Sequence, residues 1–366
     1  MNLQKSAHSA THRSYGIDLL RIFAAFSVIV LHIMNHGGLL SSTASGSYQF
    51  VICQALTAVT YSAVNIYGLI SGYVGYRDKD RGFQLSNYLM LWLEVVFYNV
   101  VVALYYMWKV PGSISSQDLL SMFFPLTNNH FWYFTSYSAL VLFIPFLNSA
   151  IRHCDRNILI PMASVIVLFT PLEAFTGLFQ TNNGYSFVWL MLLWIIGAIM
   201  KKYRIGNNLS SFAALAGIVL LDMAIFQLNR QGDGLLIGDH YISLSLMDRY
   251  TCPLYLLSAM FHVVLFDKLK PGPILQKIIG FAAPAAFAVY IVNVQQHYWT
   301  YSMEDRFSSW AQSSVVGLTM RVITFAALFV TVVTVVDYLR RKLFQLLRIR
   351  EMLNRLIDSG SKHITV

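Results

Sequence analysis

The chain has 366 residues, of which 56% are hydrophobic and 12% charged, with a mean hydropathy of +0.55 and a formal net charge of +9. Soluble domains carry about twice that charged fraction, and no polar stretch here is long enough to bury a core of its own, so a separate soluble domain is excluded. Short alternating strands are absent, which excludes a β-barrel, and the cations sit in alternate loops, which argues for the positive-inside pattern of a membrane protein and against nucleic acid as a partner.

Apolar runs of bilayer length predict an all-α, polytopic integral membrane protein with about ten transmembrane helices. The spans fall at roughly 15–34, 51–74, 87–108, 131–149, 158–176, 185–200, 210–228, 249–266, 279–300 and 314–337. This divides the chain into a polar N-terminal arm (1–14), a membrane domain (15–337) and a basic amphipathic tail (338–366). Asp18 and Arg21 lie inside the first apolar run and no small-residue cleavage site follows, so it does not read as a cleavable signal peptide.

The first span carries the strongest functional signal. Ionisable residues inside lipid are costly and mark functional sites by default. Arg21 and His32 are about three helical turns apart, roughly 16 Å along the axis, so Asp18, Arg21, Ala25, Val28 and His32 form one stripe. Such a stripe suits a helix lining a polar passage. Asp18 is placed to pair with Arg21 on the same face, while Arg21 could also receive a phosphate or carbonyl group. A neutral imidazole at His32 can take a proton from a hydroxyl near pH 7.

After the second span comes Arg77-Asp78-Lys79-Asp80-Arg81. Its three cations suit a polyphosphate clamp and equally satisfy the positive-inside rule. Further cations follow at Arg152 and Arg156, at Lys201, Lys202 and Arg204, at Lys268, Lys270 and Lys277, and throughout the tail. The opposite face holds only Lys109, Arg230, Arg249, Arg306 and Arg321. This asymmetry predicts that both termini are cytosolic. Glu94, Asp222 and His262 are further intramembrane ionisable groups.

Asn128-Asn129-His130-Phe131-Trp132-Tyr133-Phe134 opens the fourth span. Aromatics there form an interface belt, or stack on a sugar ring with His130 supplying a hydrogen bond. Segments 110–130, 229–248 and 301–313 are outer loops of a length that suits either an acceptor site or solvated connectors. The three cysteines suggest packed thiols; a Cys53–Cys252 bridge is the one pairing the topology allows, and Cys154 falls in a basic cytosolic loop. From Tyr338 to Ile357 basic and apolar residues alternate at helical spacing, which predicts an amphipathic helix on an anionic inner leaflet. No nucleotide loop, no zinc-spaced Cys/His set and no Gly-x-Ser-x-Gly elbow is present. No metal is therefore expected.

Four motifs in order resemble the membrane acyltransferase-3 family of bacteria. They are Ile17-Asp18-Leu19-Leu20-Arg21 leading to His32, Ile70-Ser71-Gly72-Tyr73 with Arg77 and Arg81 beyond it, Trp132-Tyr133 followed by Pro145-Phe146-Leu147-Asn148, and Val289-Tyr290-Ile291-Val292-Asn293. Asn293 stands where many members have His. His297 lies four residues on, on the same helical face.

The resemblance implies transfer of an acyl group, commonly acetyl, from cytosolic acyl-CoA to a hydroxyl of an extracytoplasmic glycan or lipid-linked saccharide, across a bacterial inner (cytoplasmic) membrane. In that reading Arg21, Arg77, Lys79 and Arg81 meet the phosphates of acetyl-CoA. His32, with Asp18 and Arg21, carries the chemistry as general base or transient acyl carrier. His130, Trp132, Tyr133, Glu94, Asn293 and His297 contact the acceptor. Membrane lipids are expected partners, and a homo-oligomer is compatible. A transporter or flippase using the same charged pathway is the alternative, and a non-catalytic partner of a glycan-assembly complex is a third.

Overall fold

A computed structural model describes residues 13–79, 82–127, 131–176, 180–230, 235–237, 240–242 and 249–362. The fold is helical, with α1 (Tyr15–Met34), α2 (Tyr48–Thr60), α3 (Ala63–Gly75), α4 (Leu85–Lys109), α5 (Ser116–Phe123), α6 (Trp132–His153), α7 (Arg156–Thr176), α8 (Phe187–Tyr203) and α9 (Ser211–Arg230) in its first part. Then follow a short antiparallel pair, β1 (Leu235–Ile237) and β2 (His240–Ile242), with Leu236 opposite Tyr241, within the outer segment 229–248. The second part holds α10 (Pro253–Asp267), α11 (Pro273–Ala282), α12 (Ala286–Val294), α13 (Gln296–Tyr298), a π-turn (Trp299–Met303), α14 (Val315–Leu346) and α15 (Ile349–Lys362).

Among the described residues, eight helices are long and apolar enough to cross a membrane, with α2 and α3 forming one bent span, and the shorter apolar helix α10 lies between them in the bundle. The bend has a local cause. Thr57 and Thr60 turn their hydroxyls back onto the carbonyls of Cys53 and Leu56, a contact that bends helices. Serines set the starts of several helices: Ser14, Ser47, Ser186 and Ser314 accept from the backbone N–H three residues on, at α1, α2, α8 and α14.

Helix α1 is the central post between two cores. Ile17, Leu20, Ala24 and Leu31 pack into one with α3, α8 and α10; Ile29, Val30 and Ile33 pack into the other with α12 and α14. Small residues bring the first set into backbone contact. A Cβ at Gly72 would lie 1.9 Å from the Trp194 carbonyl oxygen, one at Gly197 2.1 Å from that of Leu69, and one at Gly16 1.8 Å from that of Phe266. Only glycine permits these approaches. Cys53, Cys154 and Cys252 take part in no disulfide, so no Cys53–Cys252 bridge forms.

Two expectations change. The ninth span is not one helix over 279–300. Gln295 is extended (φ −63°, ψ 131°), and its side-chain Oε1 accepts from the backbone N–H of His297 and Tyr298, which starts a new helical turn in a new direction. The basic tail does not begin at Tyr338 either, because α14 runs on to Leu346. Arg340 is buried there, between Asp337 (2.8 Å) and Glu94 (3.1 Å), and these carboxylates make its interior position tolerable. The tail's amphipathic helix is α15, whose Arg350 reaches Asn87 at the start of α4. Arg13 approaches Gly280 and Arg341 reaches the Phe281 carbonyl, so the start of α1 and the last turns of α14 meet at α11. Gly16 lies beside the Phe266 and Leu269 carbonyls, next to Lys268, which shares a cavity with Arg77, and this end of the bundle is called here the basic face.

Candidate functional site

The far end of α1 opens into a cavity of about 270 Å³ lined by His32, His36, Tyr61, Trp132, Tyr250 and Trp299, among others. Asn293 Oδ1 accepts a hydrogen bond from His32 Nδ1, which leaves Nε2 as the acceptor nitrogen of the ring. The Asn293 side chain is itself fully buried, and its Nδ2 has no hydrogen-bond partner among the described residues. The Trp299 ring stands edge-on to His32 at 5.0 Å and lies 4.6 Å from the ring of His36. Partial desolvation holds the His36 imidazole below its ordinary value of 6.5, against the opposing pull of Glu304. The loop carrying His36 is pinned by the backbone of 305–307, where Asp305 donates to the His36 carbonyl (3.0 Å) and Phe307 to that of Gly37 (2.9 Å). Gly38 permits this turn through its positive φ of 75°.

The cavity's other wall is aromatic. Trp132, Tyr185 and Tyr250 meet pairwise, with Trp132 to Tyr185 at 4.7 Å and Tyr185 to Tyr250 at 4.9 Å. Asn65 fixes this wall, because its Nδ2 donates to the Tyr250 carbonyl (2.8 Å) while its Oδ1 accepts from Trp189 (3.0 Å). The bend between α2 and α3 places Tyr61 against Tyr250 at 5.1 Å. Flat rings with a few polar groups, among them His32, Asn35 and His36, give this pocket the make-up of a small-molecule site.

On the basic face a larger cavity of about 890 Å³ is lined by six cations, Arg77, Lys79, Lys201, Lys202, Arg204 and Lys268, together with Asp78 and Asp267. Lys202 has a structural task, since its Nζ donates to the carbonyls of Ile151, Arg152 and Cys154 and so closes the end of α6. The backbone of Arg77 is fastened to Asn148, which accepts from its N–H at 2.8 Å and donates to its carbonyl at 3.1 Å.

A third cavity of about 330 Å³, lined by Arg77, Tyr88, Tyr137 and Asn148 among others, leads inward. From it Tyr137 stacks on Tyr133 at 6.4 Å, and Tyr133 meets Tyr67 at 6.1 Å, Tyr290 at 5.7 Å and Trp132 at 5.6 Å. Trp132 also lines the His32 cavity. An unbroken run of aromatic rings therefore joins the cavity holding Arg77 to the cavity holding His32. Tyr67, Tyr133, Tyr137 and Tyr290 each keep partial exposure on interior helices, so space remains beside them.

The predicted residues sort as follows. His32, Trp132 and Asn293 come together, and Tyr133 faces the aromatic run behind them. Arg77 and Lys79 line the basic cavity; Arg81 and His130 lie outside the described residues. Asp18 accepts from both Arg13 (2.5 Å) and Arg21 (2.7 Å), and Arg21 is not among the residues lining the basic cavity, although its side chain remains 32% exposed. The stripe on α1 is not an open passage along its length, because Ala25 and Val28 are buried between its ends. Glu94 lines none of these cavities and pairs instead with Arg340. His297 faces Asn99, Asp118 and Gln295, away from His32, because the helix breaks at Gln295.

Sequence reasoning did not single out Tyr61, Tyr185, Tyr250 and Trp299. No charge or motif marks them, and they become a wall only through contacts distant in sequence. Lys201, Arg204 and Lys268 had been counted as topological charges, and their convergence with Arg77 was invisible to spacing.

A family model described as an acyltransferase domain matches residues 14–341. The chain belongs to the acyltransferase-3 family. As a member of that family it is an acyl-transferring membrane protein, and acyltransfer needs a donor and an acceptor. No curated protein and no solved structure matches the chain significantly.

Proposed function

We propose that the protein is a transmembrane O-acyltransferase that takes an acyl group, most simply acetyl, from acyl-CoA at the basic face and places it on a hydroxyl of a glycan or lipid-linked saccharide at the opposite face. The observation that carries this reading is the imidazole of His32, held at Nδ1 by Asn293 inside an aromatic-walled cavity. The six-cation cavity suits the phosphates of coenzyme A. The aromatic run through Tyr137, Tyr133 and Tyr67 offers a route for a thioester arm. The excess of cations on the basic face supports a cytosolic placement of that face, and the proposed setting is a bacterial inner membrane.

In the step we infer, His32 Nε2 removes the proton from the acceptor hydroxyl as its oxygen attacks the thioester carbonyl. A C–O bond forms, the C–S bond breaks, and the departing thiolate takes the proton back from the imidazolium. Asn293 holds the tautomer that this requires. Arg21, kept by Asp18 at the start of the same helix, supplies a cation on the donor's side. Trp132 and Tyr250 stack on the acceptor.

The test is free-CoA release from acetyl-CoA by purified protein in proteoliposomes, with and without crude envelope glycan. Release that needs His32 supports the reading. Uptake of glycan without thioester cleavage would favour a transporter instead.

A further inference from the structure

On the face opposite the basic one, α4 and α14 leave a groove of about 720 Å³ that no step above uses. Its floor is the stripe Phe325, Leu328, Phe329 and Val332 on α14. Those residues occupy one helical face over about 10 Å of depth. Leu328 and Val332 are each 59% exposed, which is natural only where hydrocarbon covers them. At its mouth stand two cations, Lys109 at the end of α4 and Arg306 in the following loop. Neither makes an ion pair with a described residue. The Lys109 ammonium lies over the rings of Tyr105 (5.4 Å) and Tyr106 (6.0 Å), and the Tyr106 hydroxyl is hydrogen-bonded to Ser302.

Two features make this more than an exposed apolar face. Cations are scarce here, since only five Lys or Arg residues are read on this side, and two of the five converge on one groove. The neighbouring acids turn away from it. Asp305 donates its N–H to the His36 carbonyl (3.0 Å) with its carboxylate beside Gly38, and Glu304 acts on His36. Apolar floor, aromatic rim and paired cations at helix-end depth match a lipid whose phosphate lies at the interface and whose chains run inward.

We propose that this groove binds an anionic phospholipid, its phosphate held between Lys109 and Arg306. Two cations with no neutralising carboxylate suit a headgroup with net negative charge better than a zwitterion. The π-turn Trp299–Met303 forms the partition. Trp299 closes the His32 cavity, while Tyr301 and Ser302 line the groove. Lipid in the groove thus bears on the wall beside His32. The proposal goes beyond the acyltransfer reading and does not depend on it.

The test places a bromine-quenchable fluorophore at Leu328→Cys in the full chain with Cys154→Ser, reconstituted in phosphatidylcholine vesicles. At equal mole fraction, brominated phosphatidylglycerol is expected to quench at least twice as strongly as brominated phosphatidylcholine. A matched probe at the exposed Leu220 should show no preference. Lys109→Ala with Arg306→Ala should abolish the preference while leaving the detergent melting profile unchanged, and Lys109→Arg should retain it. Equal quenching by the two lipids in the parent chain, or a preference that survives the double substitution, overturns the proposal. So does displacement of the lipid by millimolar inorganic phosphate, which would mark a free-anion site, or by trace polyprenyl phosphate, which would mark a carrier-lipid site.

Discussion

The His32 imidazole donates through Nδ1 to Asn293 Oδ1, and this one contact ties the end of α12 to the far end of α1. An imidazole so held presents one tautomer and one orientation to the cavity. The Asn293 amide has no titratable proton, so under the proposed function it orients His32 rather than acting as a second base.

The first prediction concerns that contact. Asn293→Ala should lower the rate of CoA release roughly tenfold to a hundredfold, the usual cost of removing an orienting partner of an imidazole. Asn293→Asp should recover part of it, because a carboxylate also accepts from Nδ1. The loss should fall on kcat. A loss confined to KM for acetyl-CoA would contradict an orienting role.

Glu94 and Arg340 separate a structural role from a binding one. Arg340→Leu leaves Glu94 buried without its cation, while Asp337 keeps Arg341 at 2.8 Å, and breaking a buried pair in this way costs about 3–5 kcal/mol. The variant should melt well below the parent in detergent. Glu94→Gln should cost less and leave the acceptor KM unchanged. An unaltered melting profile with a raised acceptor KM would restore Glu94 to the binding site.

The sequence made the two ends of α1 legible because lipid makes any charge conspicuous, so Asp18, Arg21 and His32 stood out before any contact was known. It made the family legible through motifs on four helices. It did not reveal the break at Gln295, because no Pro or Gly marks it and the cause is a side-chain cap on the backbone of His297 and Tyr298. The helical continuity that would have carried His297 to His32 fails for that reason. Nor was Arg340 readable as an interior residue, since its partners lie on α4 and one turn back on α14 and only packing joins them.

The basic cavity should divide its lysines by task. Arg204→Ala and Lys79→Ala should raise KM for acyl-CoA severalfold with kcat unchanged, as expected when charge serves binding alone. Lys202→Ala should instead lower stability, because three carbonyls at the end of α6 lose their donor. Steady-state kinetics beside a melting curve distinguish the two. Identical behaviour of all three variants would contradict the assignment.

His36 bears on the pH profile. Partial desolvation holds its pKa below 6.5, so it gains its proton as the pH falls under that value. A cation there would repel the proton His32 must accept during turnover. The rate should therefore fall on the acid side, and His36→Gln should move that limb to lower pH. A limb left in place would show that His36 takes no part.

At the helix crossings, Gly72→Ala should destabilise the bundle by about 1–3 kcal/mol, the range for overpacking, because its Cβ would sit 1.9 Å from the Trp194 carbonyl oxygen. Melting in detergent checks this, and an unchanged midpoint would mean that α3 and α8 separate freely.

The most direct measurement is the rate of free-CoA release from acetyl-CoA in proteoliposomes, supplied with envelope glycan, for the parent chain and for His32→Ala shown to be folded by its melting curve. The account predicts clear release by the parent and a fall of about a hundred- to ten-thousand-fold in the variant, the contribution of a general base. Release that persists undiminished in His32→Ala would contradict the account and move the chemistry away from the end of α1.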